Sequence, residues 1–309
     1  VAATANSSYR LAKPITKPDG SIRQPFDALE PLKTIQRRIK ERILSNVVFP
    51  DYLTGSLKGR DAFKNAELHA NSRTVVCEDI AGFFPSTTSA LVEKIWSEFF
   101  HFSPDVALLL TQLTTKDGAL PQGAITSSHL ANLAFFKSEH ELYVQLQSEG
   151  ISYSRYVDDI TASSMRQLST IELTKLVSRI YGMMLANGFK AKRTKQEIQR
   201  RNCQMKVTKL LVNNKVAIPP KQRQALRAAV YQLERQLADG AQENIQAQLD
   251  SLSGRIGRLR KLHPVEGDAL RQRLKLARAA YKLLLQPTSA GAGQTTAGLK
   301  VKSSAKRHP

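Results

Sequence analysis

Residues 151 to 164, ISYSRYVDDITASS, constrain the fold more than any other stretch of this chain. Apolar and polar side chains alternate on both sides of two consecutive aspartates, and a period of two is the pattern of extended strand. A run of this kind broken by Asp158 and Asp159 predicts a β-hairpin with the two acids at its tip. The segment 73-RTVVCEDI-80 predicts a buried strand that ends in acids as well, with Asp79 last. Carboxylates in such places are costly unless something positive binds them. If the two strands are neighbours in one sheet, Asp79 and Asp158 converge at one end and form an oxygen-ligand site. Mg²⁺ suits such a site, because it takes a few carboxylates and completes its shell with water and substrate phosphates. A bare Asp-Asp pair, in contrast, is more often an ordinary turn.

The remaining pattern places helices around that sheet. The stretch 9-YRLAKPITKPDGSIRQPF-26 reads as strand, Pro-Asp-Gly reversal and return strand. Leu32, Ile35, Ile39 and Ile43 predict a helix, and the Pro-Ser-Thr signal after Phe84 predicts another that begins near Ser86 or Thr87 and carries Leu91, Ile95 and Phe99. After Pro121-Gln122-Gly123 a single helix is expected from Ser127 to Leu146. A further helix from Ile171 to Asn187 ends at Gly188, a C-cap position. Residues 207 to 218 read as two short strands around Asn213-Asn214. Beyond Pro219-Pro220 come three amphipathic helices, and from Pro287 the composition turns to Gly, Ala, Ser and Thr with basic residues near the end, a tail expected to be disordered.

Charge divides the chain in the same place. Residues 1 to 189 carry 20 Lys and Arg against 19 Asp and Glu, whereas residues 190 to 309 carry 26 against 7. A near-neutral body with a strongly basic C-terminal part suggests a nucleic-acid partner, since each neutralised phosphate releases condensed counterions. No apolar run reaches the roughly 18 residues that span a bilayer, so no membrane partner is expected. The first residues lack the charged and apolar regions of a signal peptide, and two cysteines, Cys77 and Cys203, cannot make a disulfide framework or a cysteine zinc site. A reducing, cytoplasmic setting is the simplest expectation.

Taken in order along the chain, ITKPDGSIRQP, KNAELH at 64 to 69, EDIAGFFPS at 78 to 86, LPQGAITSSHLAN at 120 to 132, YVDD at 156 to 159, GF at 188 to 189 and KVTKLLVNNK at 206 to 215 resemble the motifs of reverse transcriptases, most closely the bacterial retron-type enzymes. The resemblance covers nearly the whole chain from Tyr9 to Leu285. It departs at Lys209, where retron-type sequences commonly have Gly, and at Lys192, where Asn is common.

The resemblance implies an α+β right-hand polymerase. Residues 1–218 would be fingers and palm, built of antiparallel sheet plus helices, 219–286 a basic helical thumb, and 287–309 the disordered tail. It implies that Asp79 and Asp158 bind metal, with Asp159 beside them in the acidic turn and the Ile80 carbonyl facing a metal. It makes Phe84 the bulky residue that closes against a ribose 2′-hydroxyl, Lys17 and Arg23 the holders of the triphosphate, and Gln122 and Gly123 the loop beneath the incoming nucleotide. Lys195 would act on pyrophosphate, with Lys192 and Arg193 as competitors for that role. Either Phe83 or Phe84, but not both, can face a nucleotide. On the thumb, Arg255, Arg258, Arg260 and Lys261 would grip the primer-template by its phosphates and 2′-hydroxyls. The implied chemistry is RNA-directed DNA synthesis from dNTPs with two Mg²⁺ ions, on a structured non-coding RNA that serves as template and primer. The partners implied are that RNA, its DNA product and, in some members, an effector protein in bacterial antiphage defence. A mobile-element polymerase with another template, a non-catalytic RNA-binding scaffold and an RNA polymerase stay open at this point. The three acids weigh against the scaffold, and Phe84 weighs against the RNA polymerase.

Overall fold

At its N-terminal end the chain turns back on itself in two tiers. In the computed structural model, which describes residues 1–16, 20 and 22–285, β1 (Tyr9–Leu11), β2 (Ile15–Thr16), β3 (Ile22–Arg23) and β4 (Phe26–Ala28) pair antiparallel, β1 with β4 and β2 with β3. Of the expected Pro-Asp-Gly reversal, Lys17, Pro18 and Asp19 lie outside the described residues, as does the tail expected to be disordered from residue 287. In α1 (Leu32–Arg42) Leu32, Gln36 and Ile39 are buried. The side chain of Asp61 caps α2 (Ala62–Glu67) by accepting from the Phe63 and Lys64 amides.

A four-stranded antiparallel sheet follows. Its first member, β5 (Thr74–Asp79), leads into a run of helices: α3 (Phe83–Ser86), α4 (Ser89–Lys94), α5 (Pro104–Thr114), α6 (Ser127–Asn132) and α7 (Glu139–Ser148). The hairpin comes next as β6 (Ile151–Tyr156) and β7 (Asp159–Ser164). After it come α8 (Thr170–Ala186), the edge strand β8 (Glu197–Arg200), and the short pair β9 (Lys206–Val207) and β10 (Leu210–Leu211). The sheet order is β6-β7-β5-β8, and the register sets Asp79 opposite Asp159 and Asp159 opposite Tyr156. Opposed residues share a face. Val76, Ile160, Ala162, Ile151 and Tyr153 therefore line one side and belong to the main hydrophobic core, together with residues of α7 and α8. Asp79, Asp159 and Tyr156 have the other parity.

Several boundaries differ from the periodicity. The helix expected from Ser86 or Thr87 is split: Phe83–Ser86 is one short turn, Thr88 caps the next through its hydroxyl and the Leu91 amide, and residues 95–99 continue as a π-helical turn. Val92, Ile95 and Trp96 are buried, and Phe99 stands at the edge. The single helix expected over 127–146 is broken between Asn132 and Glu139, where residues 133–138 form tight turns with i to i+3 hydrogen bonds. The reversal expected at Asn213-Asn214 falls at Thr208-Lys209 between β9 and β10, and only a single bridge, Leu211 to Ala217, closes around the asparagines. Thr208 and Lys209 have φ of 47° and 66°, left-handed values that glycine adopts without strain.

α8 follows its pattern, with a capping box made by Ser169 and Glu172 and Gly188 at φ 80° beyond its end.

The chain divides into two compact units, Val1–Pro219 and a second that begins at Pro220. In the second unit α9 (Pro220–Ala238), α10 (Ile245–Leu262) and α11 (Pro264–Leu284) bury Leu226, Val230, Leu233 and Leu237 against Leu249, Leu252, Ile256, Leu259, Leu270 and Leu274. Glu266 accepts from Arg223 and Arg227, and Glu234 pairs with Arg273, so ion pairs tie α9 to α11. Together the units make an α+β architecture of antiparallel sheets and helices. Among the described residues no helix is long and apolar enough to cross a membrane.

Candidate active site

Strand parity assembles the site. Because β5 alternates, Asp79 and Glu78 leave the strand on opposite faces, Asp79 on the side away from the helical core and Glu78 toward α8, where Tyr181 and Gln196 donate to its carboxylate at 3.0 and 2.7 Å. The hairpin tip sits at the end of β5, where the Ile80 amide donates to the Asp158 carbonyl at 3.0 Å. The expected convergence of Asp79 with Asp158 and Asp159 is thus present.

Electrostatics report how tight it is. Loss of hydration raises Asp158 above the usual carboxylate range, and the Asp79 charge adds to the shift, while Lys195 and Arg23 oppose it. Asp159 is pushed up to about 7, first by loss of hydration and then by the Asp158 and Asp79 charges. Lys195 donates to Asp79 Oδ2 at 2.6 Å, and this bond raises its own pKa. Asp79 is 5% exposed.

Of the three basic residues considered for this position, Lys195 places its ammonium on the Asp79 carboxylate. Lys192 donates its backbone amide to the Asp79 carbonyl at 2.7 Å, and the Arg193 guanidinium lies over the Tyr181 ring.

The fit to a divalent cation can be read from the donors. Asp79 and Asp158 offer hard oxygens, and an ammonium already rests on Asp79 Oδ2, so the acids attract a cation here. Among the described residues no group of three or more His, Cys, Asp or Glu side chains is arranged to hold a metal ion by itself. A cation at Asp79 and Asp158 would therefore draw the rest of its shell from water and substrate oxygens, as Mg²⁺ does.

Around the acids, the Gln122 carbonyl accepts from the Phe26 amide at 2.7 Å and docks the Pro-Gln-Gly loop on β4. A Cβ on Gly123 would lie 2.7 Å from the Phe26 carbonyl, so only glycine fits there. Arg23, Gln122, Gly82, Pro85 and Lys116 line one cavity of about 480 Å³. The two phenylalanines separate: Phe83 is buried against Phe135 and Phe189, and Phe84 is half-buried beside it. On α10, Arg255, Arg258 and Lys261 are exposed, and Arg260 is half-buried and bonded to Asp268.

Sequence reasoning missed the layer beneath the acids. Arg155 has the parity of Ile151 and Tyr153 and is fully buried, paired with the equally buried Glu139. An arginine at a core position of an alternating strand calls for a buried acid, and that parity was the available signal. Gly55 was missed too: a Cβ there would lie 2.4 Å from the Val157 nitrogen, so the hairpin tip rests directly on backbone.

Comparison with known proteins gives the family. Residues 15–223 match the family described as reverse transcriptase (RNA-dependent DNA polymerase). The chain is 37% identical over 276 residues to the retron Se72 reverse transcriptase of Salmonella heidelberg (strain 579083-10), an alignment covering 87% of this chain and 72% of that protein. It is 30% identical over 270 residues to the retron Ec48 reverse transcriptase of Escherichia coli, covering 83% and 65%, and 27% identical over 279 residues to the retron Mx65 reverse transcriptase of Myxococcus xanthus, covering 84% and 63%. The chain thus spans about two thirds of the length of these relatives.

Proposed function

Since this chain belongs to the reverse transcriptase family, and within it to the bacterial retron type, we propose that it is the polymerase core that copies a structured non-coding RNA into DNA from dNTPs. The observation that carries this reading is the meeting of Asp79, Asp158 and Lys195 at the end of β5, with the Arg23 charge acting on Asp158.

In this reading Asp79 and Asp158 hold Mg²⁺, with the Ile80 carbonyl and Asp159 beside them. Two such ions, when bound, lower the cost of forming the attacking 3′-oxyanion and of releasing pyrophosphate. Lys195 holds a proton on Nζ next to the reacting phosphates, available to the departing pyrophosphate. Arg23 presents a planar fork to the triphosphate oxygens, and Lys17 adds a point charge. Gln122 and Gly123 support the incoming base, and the exposed part of Phe84 excludes a 2′-hydroxyl. In the second unit Arg255, Arg258, Arg260 and Lys261 take backbone phosphates of the primer-template. The biological setting proposed is antiphage defence in the bacterial cytoplasm, with the RNA, its DNA product and an effector protein as partners.

The test is primer extension on an RNA template with Mg²⁺, comparing dNTPs with NTPs and the native chain with Asp158→Asn, the variant first checked for folding and RNA binding. DNA growth that follows the template and disappears in the variant is the expected outcome. Tight RNA binding without dNTP incorporation, even on RNA co-purified from the native host, would replace this reading with that of a binding scaffold.

A further inference from the structure

Arg155 is an expensive residue to keep. Its guanidinium is withdrawn from water entirely, and a buried charge is tolerated only when paired and fully bonded. Nε and Nη2 form a fork on Glu139, at 2.6 and 2.8 Å, and the Tyr153 hydroxyl donates to the same carboxylate at 2.8 Å. Nη2 also donates to the Asn132 carbonyl at 2.9 Å. That carbonyl and Glu139 mark the two sides of the break between α6 and α7, so the interruption of the expected helix supplies both acceptors. Phe83 and Phe135 lie beside the guanidinium, with ring centroids 5.5 and 5.1 Å from its central carbon.

The remaining nitrogen reaches the hairpin tip: Nη1 donates to the Val157 carbonyl at 3.0 Å. Val157 has φ 61°, a left-handed conformation that disfavours a β-branched residue. Such strain persists only where the surroundings over-determine it. Gly55 closes against the Val157 nitrogen, and Arg155 holds the carbonyl of the same residue, in the next peptide.

We propose that Arg155 is a positioning residue of the polymerase site: anchored on Glu139 and Asn132, its guanidinium holds the Val157 carbonyl and so keeps the strained tip where Asp158 meets Asp79. The anchors come from α6 and α7, and Phe83 comes from the segment that follows Asp79. Arg155 therefore joins, beneath the site, the pieces that carry the acids and the nucleotide-facing loops. It touches no substrate and acts through the turn. The proposal rests on the polymerase reading for its consequence in catalysis, whereas its structural content can be read without activity.

The experiment compares Arg155→Met, Arg155→Lys and Glu139→Gln with Leu146→Ala, a cavity variant about 10 Å further along α7 at 1.5 Å per residue. Extension on an RNA template is measured below the melting temperature of each variant, with Mg²⁺ and dNTP titrated separately. Amide exchange at Ile80, whose N–H is bonded to the Asp158 carbonyl, reports the seating of the tip. The expected result for Arg155→Met is a fall in kcat of about 10²-fold, the scale of a misplacement near 1 Å. It is accompanied by a higher Mg²⁺ midpoint, an unchanged dNTP KM and faster exchange at Ile80. Arg155→Lys and Glu139→Gln fall between this and the native chain, and carry the comparison if Arg155→Met does not fold. Leu146→Ala loses stability without moving the Mg²⁺ midpoint or Ile80. Loss of rate in mere proportion to lost stability across all four variants, with Ile80 exchange and the Mg²⁺ midpoint unmoved, would overturn the proposal. If the native chain incorporates no dNTP, the polymerase reading fails, and Ile80 exchange alone still decides whether Arg155 seats the turn.

Discussion

Acidification should destabilise the first unit through His69, and the size of the effect follows from its surroundings. The ring is fully buried, with Nε2 2.7 Å from Ser154 Oγ and Nδ1 2.8 Å from Ser163 Oγ. Ser154 Oγ donates to Asn65 Oδ1 at 2.8 Å, so Ser154 accepts from Nε2–H and Nδ1 accepts from the Ser163 hydroxyl. Every ring position is satisfied in the neutral form, and burial lowers the pKa to about 3. In the unfolded chain the imidazole takes its ordinary value of about 6.5. The folded value is the lower one, so the unfolded state binds more protons between the two values. The contribution to stability is then complete above about pH 6.5 and is lost as pH falls toward 3. At 1.36 kcal/mol per unit, the loss between pH 8 and pH 5 is about 2 kcal/mol. Urea unfolding at both pH values measures it, with His69→Gln as the reference because glutamine does not titrate and other groups cancel in the difference. The native chain should lose about 2 kcal/mol more than the variant over this interval. Equal losses, or an imidazole that titrates near 6.5 in the folded protein by NMR, would refute the reasoning.

Other outcomes are expected from the same structure. Gly55→Ala drives a methyl into the Val157 backbone. It should cost about 1–3 kcal/mol in urea unfolding, the range for overpacking, and slow extension by displacing the tip. Phe84→Ala should raise NTP incorporation relative to dNTP by at least about tenfold, the lower end of what one pocket contact contributes; unchanged discrimination in competitive extension would remove Phe84 from the site. Replacing Arg255 and Arg258 together with Ala should lower the slope of log affinity against log salt for an RNA–DNA hybrid by about 2, one per phosphate contact, in a fluorescence titration.

Much of the site was legible because it is local. The hairpin, its acidic tip and the acid-terminated β5 follow from alternation and from the positions of three aspartates, and the helices of the second unit follow from apolar residues three and four apart. What was misread depends on partners distant in sequence. The break after Asn132 carries no glycine or proline, because its cause is a guanidinium 23 residues away that needs a carbonyl and a carboxylate. The π-helical turn at 95–99 similarly carries no local signal, since burying Trp96 in the core selects it. Thr208 and Lys209 adopt left-handed angles without a glycine, in a turn that the Thr208 hydroxyl helps hold by donating to the Ala62 carbonyl at 2.9 Å.

By itself the sequence determined the hairpin over 151–164, the strand that ends at Asp79, the helices of the second unit, and that Asp79, Asp158 and Asp159 would stand at strand ends, because these depend on periodicity and on the cost of burying charge. Only the tertiary structure decided that the Lys195 ammonium donates to the Asp79 carboxylate, that Phe83 is buried and Phe84 half-buried, and that Arg155 lies beneath the turn. Each of those depends on how strands register and helices break, and pairing free energy between residues distant in the chain, not local propensity, sets that geometry.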